Sequence, residues 1–380
     1  STNNAVSRDT IVDLPTHIQW IGEPKTARSH DHLSSISAAV SSGGRVFYIA
    51  DEGSKASLAF PARWSLIARD AFNGVLLWKK PIGPWEGHLR GFRSGPPEVA
   101  RRLVAVEDRV YVTLGYGKPV TVLDAATGDI LKAYEGTKDT LEIAYRDGIL
   151  YLVTGEVDIA EVVRRRSASP PPRQKAVLAI MANTGDLVWS KSNLDTQELM
   201  PLTLTVTEDR VFFQNPDNVI CLDAGDGSEV WRASRPIQTQ RWGWSTPTLA
   251  VYENIVLSAD RAAPDPTQIE DRPEQVQWDP SSRGGEAPPG ELIAFSAENG
   301  EELWRCECRE AYNAPPDVFV IDGLLWTGDL VHRNDPGITV ARDITSGEIR
   351  KERPKDQDFF SFGMGHHRCY RNKATEDYVL

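Results

Sequence analysis

"LIARDAFNGVLLWKK", residues 66–80, is an apolar strand, a tight polar turn and a second strand that reaches Trp78. Something close to it returns along the chain. Aligned on the turn, RDAFNGVLLW places Asp70, Gly74 and Trp78 at 0, +4 and +8. LDAATGDILK places Asp124 and Gly128 there, with Lys132 in the Trp slot. IMANTGDLVW gives Met181, Gly185 and Trp189, and LDAGDGSEVW gives Asp223, Gly227 and Trp231. FSAENGEELW gives Ser296, Gly300 and Trp304, and RDITSGEIRK gives Asp343, Gly347 and Lys351.

Each repeated residue has a physical reason. Glycine at +4 supplies the positive φ of a short hairpin turn. Aspartate at the first position bonds backbone N–H groups of the turn. The Trp is large and suited to packing between neighbouring sheets. The two Lys replacements place that slot near an edge. A second repeat precedes each copy: residues 40–51, 104–115, 143–155, 204–216, 249–260 and 319–329 each read as strand, tight polar turn, strand. One unit is therefore four strands, A to D, recurring roughly every 40–70 residues, the pattern of β-propeller blades. The expected class is all-β, with six whole blades. A seventh begins at HHRCYRNKATEDYVL (366–380) and stops at its second strand. The segment THIQWIG (16–22), with Trp20, reads as a lone outer strand able to complete the final blade. The expected division is an N-terminal segment over 1–34 and a propeller over 35–380.

The chain has 380 residues and a net charge of −12, which disfavours nucleic acid or an anionic membrane surface as main partner. The basic stretch VVRRRSASPPPRQK (162–175) reads as a Pro-rich loop. No run approaches the roughly 18 apolar residues of a membrane span. No signal peptide is visible in STNNAVSRDT (1–10), as would also hold for a processed start. Cys221, Cys306, Cys308 and Cys369 do not have zinc-ribbon spacing. CEC (306–308) reads as two free thiols, with a strained bridge as the alternative.

The C–turn–D copies resemble the repeat named for pyrroloquinoline quinone. That repeat is shared by quinoprotein dehydrogenases and the BamB-type outer-membrane assembly lipoproteins. The likeness spans roughly residues 35–380. FYIADEG (47–53), ARDAFNGVLLWK (68–79) and GMGHHRCYRNKATEDYVL (363–380) are similar to bacterial, planctomycete-type proteins described only as quinone-binding-like propellers. The resemblance implies an eight-bladed ring and an extracytoplasmic, periplasmic or secreted protein.

Loop lengths assign the faces. The A–B and C–D turns are tight, and alternation of strand direction puts them at one end of each blade. The B–C and D–A connections lie at the other end, and many are long, where binding residues usually sit. Examples are residues 51–65, 155–175 and 260–290. The D–A loops lead to the central channel. They carry His30, His32, His88, Arg93, Arg241, Trp242, Trp244, Tyr312, Asn313, His366, His367 and Arg368, expected to converge at a funnel mouth.

Three readings follow. Imidazoles of His30 and His366, with Asp31 or Cys369 near, could hold a metal ion; adjacent strand histidines point apart, and the bland alternative is packing histidines. A quinoprotein dehydrogenase would need pyrroloquinoline quinone with Ca²⁺. Its relatives carry a vicinal Cys–Cys pair that this chain lacks, and no motif here places the Ca²⁺ ligands. Trp242 or Trp244 could stack a flat ring or simply pack the rim. The favoured reading is a binding propeller whose mouth takes a small molecule, glycan or protein. No nucleophile elbow, Walker loop or dinucleotide fingerprint is present. Glu270, Asp271 and Glu274 read as a solvated loop.

Overall fold

The computed structural model describes residues 18–22, 36–57, 60–86, 97–158, 160, 172–239, 246–261, 289–309, 316, 318–328 and 338–352. They form six antiparallel sheets of four strands each, every sheet in simple sequence order. The chain groups into two compact units, one built on Pro15–Gln197 and one on Glu198–Ala224 with Ser228–Leu380.

The first unit holds three sheets. They are β1 to β4 (Ile36–Ser42, Arg45–Asp51, Trp64–Asp70, Leu76–Pro81), β5 to β8 (Leu103–Val106, Arg109–Thr113, Val120–Asp124, Ile130–Ala133) and β9 to β12 (Thr140–Arg146, Ile149–Glu156, Arg173–Met181, Leu187–Lys191). The second unit holds β13 to β16 (Thr205–Val206, Arg210–Gln214, Asn218–Asp223, Glu229–Ser234), β17 to β20 (Thr248–Tyr252, Ile255–Arg261, Pro289–Ser296, Glu302–Arg309) and β21 to β24 (Val318–Ile321, Leu324–Gly328, Ile338–Asp343, Ile349–Glu352). Within the first unit β1 lies beside β5 and β5 beside β9; within the second, β13 lies beside β17 and β17 beside β21. First strands inside and fourth strands outside is the arrangement of propeller blades. Leu194–Gln197 is an α-helix of a single turn.

Strand alternation explains the cores. Val110 and Val112 of β6 point into a cluster with Phe47, Leu66 and Trp85, whereas Tyr111 between them joins Ile143, Leu150 and Leu152. In the second unit Leu249 and Val251 pack with Phe212 and Phe295, whereas Ala250 faces Val318 and Leu325. A strand between two neighbours buries both faces, so its sequence runs apolar at nearly every position.

The turn residues behave as the repeat predicts. Gly74, Gly128, Gly185, Gly227, Gly300 and Gly347 all have φ between 71° and 76°. Asp70 Oδ1 accepts from the N–H groups of Phe72 and Asn73, at 2.9 and 3.0 Å. Asp124 and Asp343 do the same for Ala126 and Thr127, and for Thr345 and Ser346. The outer-strand rings then cover the turns. Trp78 donates its indole N–H to Ala125 O at 2.9 Å, and a Cβ added to Gly128 would sit 2.6 Å from that ring. Trp231 treats Ala297 and Gly300 alike, and Trp304 treats Ile344 and Gly347 alike. Trp189 is buried and tilts against Tyr151 of its own sheet.

One expectation needs correction. The Lys132 slot does not mark an edge. Tyr134, two residues on and so on the same side of the chain, covers Gly185 and donates its hydroxyl to Ala182 O. Lys132 Nζ reaches Thr184 O of the same turn. Residues 18–22 are described but form no strand, although Trp20 packs on Gly74. Residues 353–380, which carry the expected partial seventh blade, lie outside the described residues, and so does any test of an eight-bladed ring.

Candidate functional site

All twelve expected mouth residues lie outside the described residues. They are His30, His32, His88, Arg93, Arg241, Trp242, Trp244, Tyr312, Asn313, His366, His367 and Arg368. Their convergence stays an expectation, as does a metal site at His30 and His366. Cys369 and the loop acids Glu270, Asp271 and Glu274 also fall outside. What the structure does show is how the long connections leave the sheets.

In the first unit Asp51 ends β2 and accepts from the N–H groups of Gly53 and Arg63, at 2.8 and 2.9 Å. One carboxylate thereby pins both ends of the β2–β3 connection. Next to it, Glu52 accepts from Ser65 Oγ at 2.7 Å and from Lys79 Nζ at 3.0 Å. Partial burial pushes the Glu52 carboxyl up; the Ser65 hydroxyl and the Lys79 ammonium outweigh that and hold it below the ordinary value. These side chains wall a groove of about 750 Å³, with Pro61, Ala62, Trp64, Pro81, Ile82 and Pro84 supplying its apolar surface. Prolines contribute no N–H, so this wall offers rings and carbonyls, with charge at Glu52, Arg63 and Lys79.

At the end of the connection that follows β4, Arg102 is 2% exposed. Its guanidinium carbon lies 4.0 Å from the Trp85 ring centre and 4.3 Å from that of Tyr116, and Nη2 donates to Trp85 O. Cation–π contact is strongest where the cation has left water.

The second unit has a counterpart in Arg235, 1% exposed. Nη2 donates to Asp260 O and Glu291 O, at 3.3 and 2.9 Å. Nε donates to Ser258 Oγ at 3.3 Å, and Nη1 meets Glu291 Oε2 at 3.2 Å. Asp260 lies near the end of β18 and Glu291 near the start of β19. The planar donor fork thus ties the two feet of the connection over residues 262–288. Burial lowers the Arg235 pKa, and Asp260 and Glu291 counteract it.

Among the described residues no group of three or more His, Cys, Asp or Glu side chains is placed to hold a metal ion. Cys221, Cys306 and Cys308 are free thiols. Burial pushes all three upward, Cys221 to about 12, which keeps them protonated and unreactive at neutral pH. CEC stands in the outer strand β20. The sequence did not reveal Arg102 and Arg235, because a lone Arg in a polar connection looks like any solvated cation. Glu52 was legible only as part of a long loop.

The chain is similar to the solved structure of BamB from Moraxella catarrhalis, at 14% identity and a TM-score of 0.48, over 85% of this chain and 75% of that one. It is similar to a europium-containing methanol dehydrogenase at 14% identity and a TM-score of 0.45, over 88% of this chain and 72% of that one. It is also similar to the quinohemoprotein alcohol dehydrogenase from Comamonas testosteroni, at 16% identity and 0.39, over 65% of this chain and 42% of that one. No curated protein matches the sequence. The family model described as outer membrane protein assembly factor BamB matches residues 143–282 and 173–359, together more than half of the chain. With the six four-stranded sheets and their repeated Asp–Gly–ring turns, that match settles the kinship: the chain belongs to the BamB-type family of quinone-repeat β-propellers.

Proposed function

We propose that this protein is a binding and scaffold propeller. It recognises a small molecule, glycan or partner protein at the sheet ends that carry the long connections, and it works outside the cytoplasm. The observation that carries this reading is the contrast between the two ends. At one end the short polar turns at Asp70, Asp124 and Asp343 have their backbone donors already engaged. At the other, long connections leave from deliberately fixed feet at Asp51, Arg102 and Arg235, and a charged, apolar-walled groove opens there. A rigid scaffold under variable loops is a common construction for recognition. Fold alone does not choose a ligand, and no quinone, calcium or other metal enters this reading.

The test compares the two ends. A photo-crosslinking side chain is placed at Pro61 or Arg63 on the long-connection end, and at Asn73 or Ser346 on the turn end, and envelope fractions are irradiated. Adducts confined to the first pair support the proposal; equal labelling at both ends, or none at either, contradicts it. A parallel titration with pyrroloquinoline quinone and Ca²⁺ addresses the quinone- or metal-dependent oxidoreductase. Saturable binding with alcohol-dependent dye reduction would replace the binding reading with that enzyme.

A further inference from the structure

We infer that the groove beside the β2–β3 connection takes an extended acidic segment of a partner protein, with a carboxylate on Arg63 and Lys79 and apolar side chains on the rings of Pro61, Pro81 and Pro84. This rests on the binding reading proposed for these sheet ends and names the chemistry of the partner. The accessible charge of the groove is positive. Lys79 and Arg63 are exposed, and both converge on Glu52: Lys79 Nζ meets Oε1 at 3.0 Å, and Arg63 Nη2 donates to the backbone O at 3.1 Å. Glu52 also accepts from the Ser65 hydroxyl, so both oxygens of its carboxylate are engaged. Glu86, the other acid of the wall, is 3% exposed. A ligand therefore meets two cations with one already engaged carboxylate between them, in a chain whose net charge is −12. The planar donor fork of an exposed arginine matches a carboxylate edge to edge.

The apolar half of the wall selects the kind of acid. Pro61, Pro81 and Pro84 are exposed there, beside half-buried Ala62 and Ile82. Pro81 ends β4, the outer strand of its sheet, and lacks the N–H that an added strand would need. The groove thus holds a partner by side chains rather than by a ladder, and an apolar residue beside an acid fits both halves at once. The wall is fixed before any partner arrives. Ile82 N donates to Trp64 O at 3.0 Å, Gly83 N to Leu114 O at 2.9 Å, and Tyr116 N to Pro84 O at 2.8 Å. Trp85, next in the chain, is buried against the Arg102 guanidinium. A preformed groove spares the ordering cost that weakens binding by loops. A small free carboxylate would use only the cations, and a polyuronate glycan would leave the prolines uncovered, so the wall favours a peptide.

Fluorescence anisotropy on the purified full chain tests this with a labelled, capped peptide in which aspartate alternates with leucine. Saturable binding is expected, weakened at least about tenfold in Arg63→Ala, a loss that charge-assisted hydrogen bonds account for. That variant keeps the backbone N–H that Asp51 accepts, so the connection stays anchored. Arg350→Ala removes an exposed cation on β24 and should leave the affinity as it is. Four results would each overturn the inference: equal binding of a peptide with lysine in place of aspartate, equal binding of polygalacturonate, an unchanged affinity in Arg63→Ala, or no saturation. The crosslinking comparison separates that failure from failure of the broader reading. Adducts at Pro61 without a preference for the acidic peptide overturn the acidic partner alone, whereas no adducts at either end overturn both.

Discussion

At Gly128 two demands meet on one residue. The turn holds φ at 76°, and the Trp78 ring occupies the space where a Cβ would stand. An L-residue there suffers the left-handed backbone penalty and also displaces the indole that donates to Ala125 O. Gly128→Ala should therefore destabilise the protein by roughly 2–5 kcal/mol, the sum of about 1–2 for the backbone and about 1–3 for overpacking. Urea denaturation reads it directly, and a loss below about 0.5 kcal/mol would mean that the ring moves aside freely. Asp139 is the opposite case. It has a φ of 60°, and burial raises its carboxyl pKa, with Glu156 adding to the rise. Its ionisation thus opposes folding at neutral pH. Asp139→Asn keeps a side chain that tolerates this backbone and removes the charge, so the urea midpoint at pH 7 should rise. A fall would show that the carboxylate makes a favourable contact stronger than its burial cost.

At the scale of elements, hairpins were legible and their feet were not. Asp70, Gly74 and Trp78 recur because local backbone chemistry requires them, and local requirements are written in consecutive residues. The Tyr134 substitution for the missing Trp escaped the fixed +8 spacing because a strand side is shared by residues two apart, which lets the ring shift from slot 132 to 134. Arg235 was illegible for a different reason. Its partners Ser258, Asp260 and Glu291 are distant in sequence, and only the packed sheet turns a loop Arg into a buried clamp. Replacing it with Met leaves Glu291 without that partner and withdraws the donors from two buried carbonyls. Glu291 is one-third exposed and keeps Arg305 at 3.5 Å, so its charge stays compensated; the cost is that of carbonyls deprived of their donor, and Arg235→Met should lose about 1–3 kcal/mol. Arg235→Lys should fall between Met and the native residue, because an ammonium cannot span both carbonyls as the fork does. Amide exchange along β18 and β19 should quicken in both variants. Unchanged exchange would mean that the strand ladder alone holds the feet of the connection.

For the molecule as a whole, the repeat predicted the six blades, while the expected mouth rests on connections outside the described residues. The charge distribution has a consequence that spans both units. Asp124 and Asp343 are held below the ordinary carboxylate value, Asp124 chiefly by the Thr127 and Ala126 backbone donors and Asp343 chiefly by the Thr345 hydroxyl. The Arg305 side chain does the same for Glu302. Groups with a depressed folded pKa contribute their stability above the unfolded value, about 4, and lose it as pH falls through the folded values. The acid limb should therefore begin below about pH 4. The alkaline limb has the opposite origin. Burial pushes the Cys221 thiol and the Tyr111 phenol to about 12. A raised folded pKa gives stability that is complete below the unfolded value, about 8.5 for Cys and 10 for Tyr, and is lost as pH rises toward the folded one. Urea midpoints measured against pH should thus form a plateau from about pH 4 to 8 with a decline on each side. Cys221→Ala removes one source of the alkaline decline, so its midpoint should start lower at pH 7 and fall less between pH 9 and 11 than the native protein's. Parallel alkaline limbs in the two proteins would place the decline elsewhere, with Tyr111 and the thiols of β20 as the remaining buried acids.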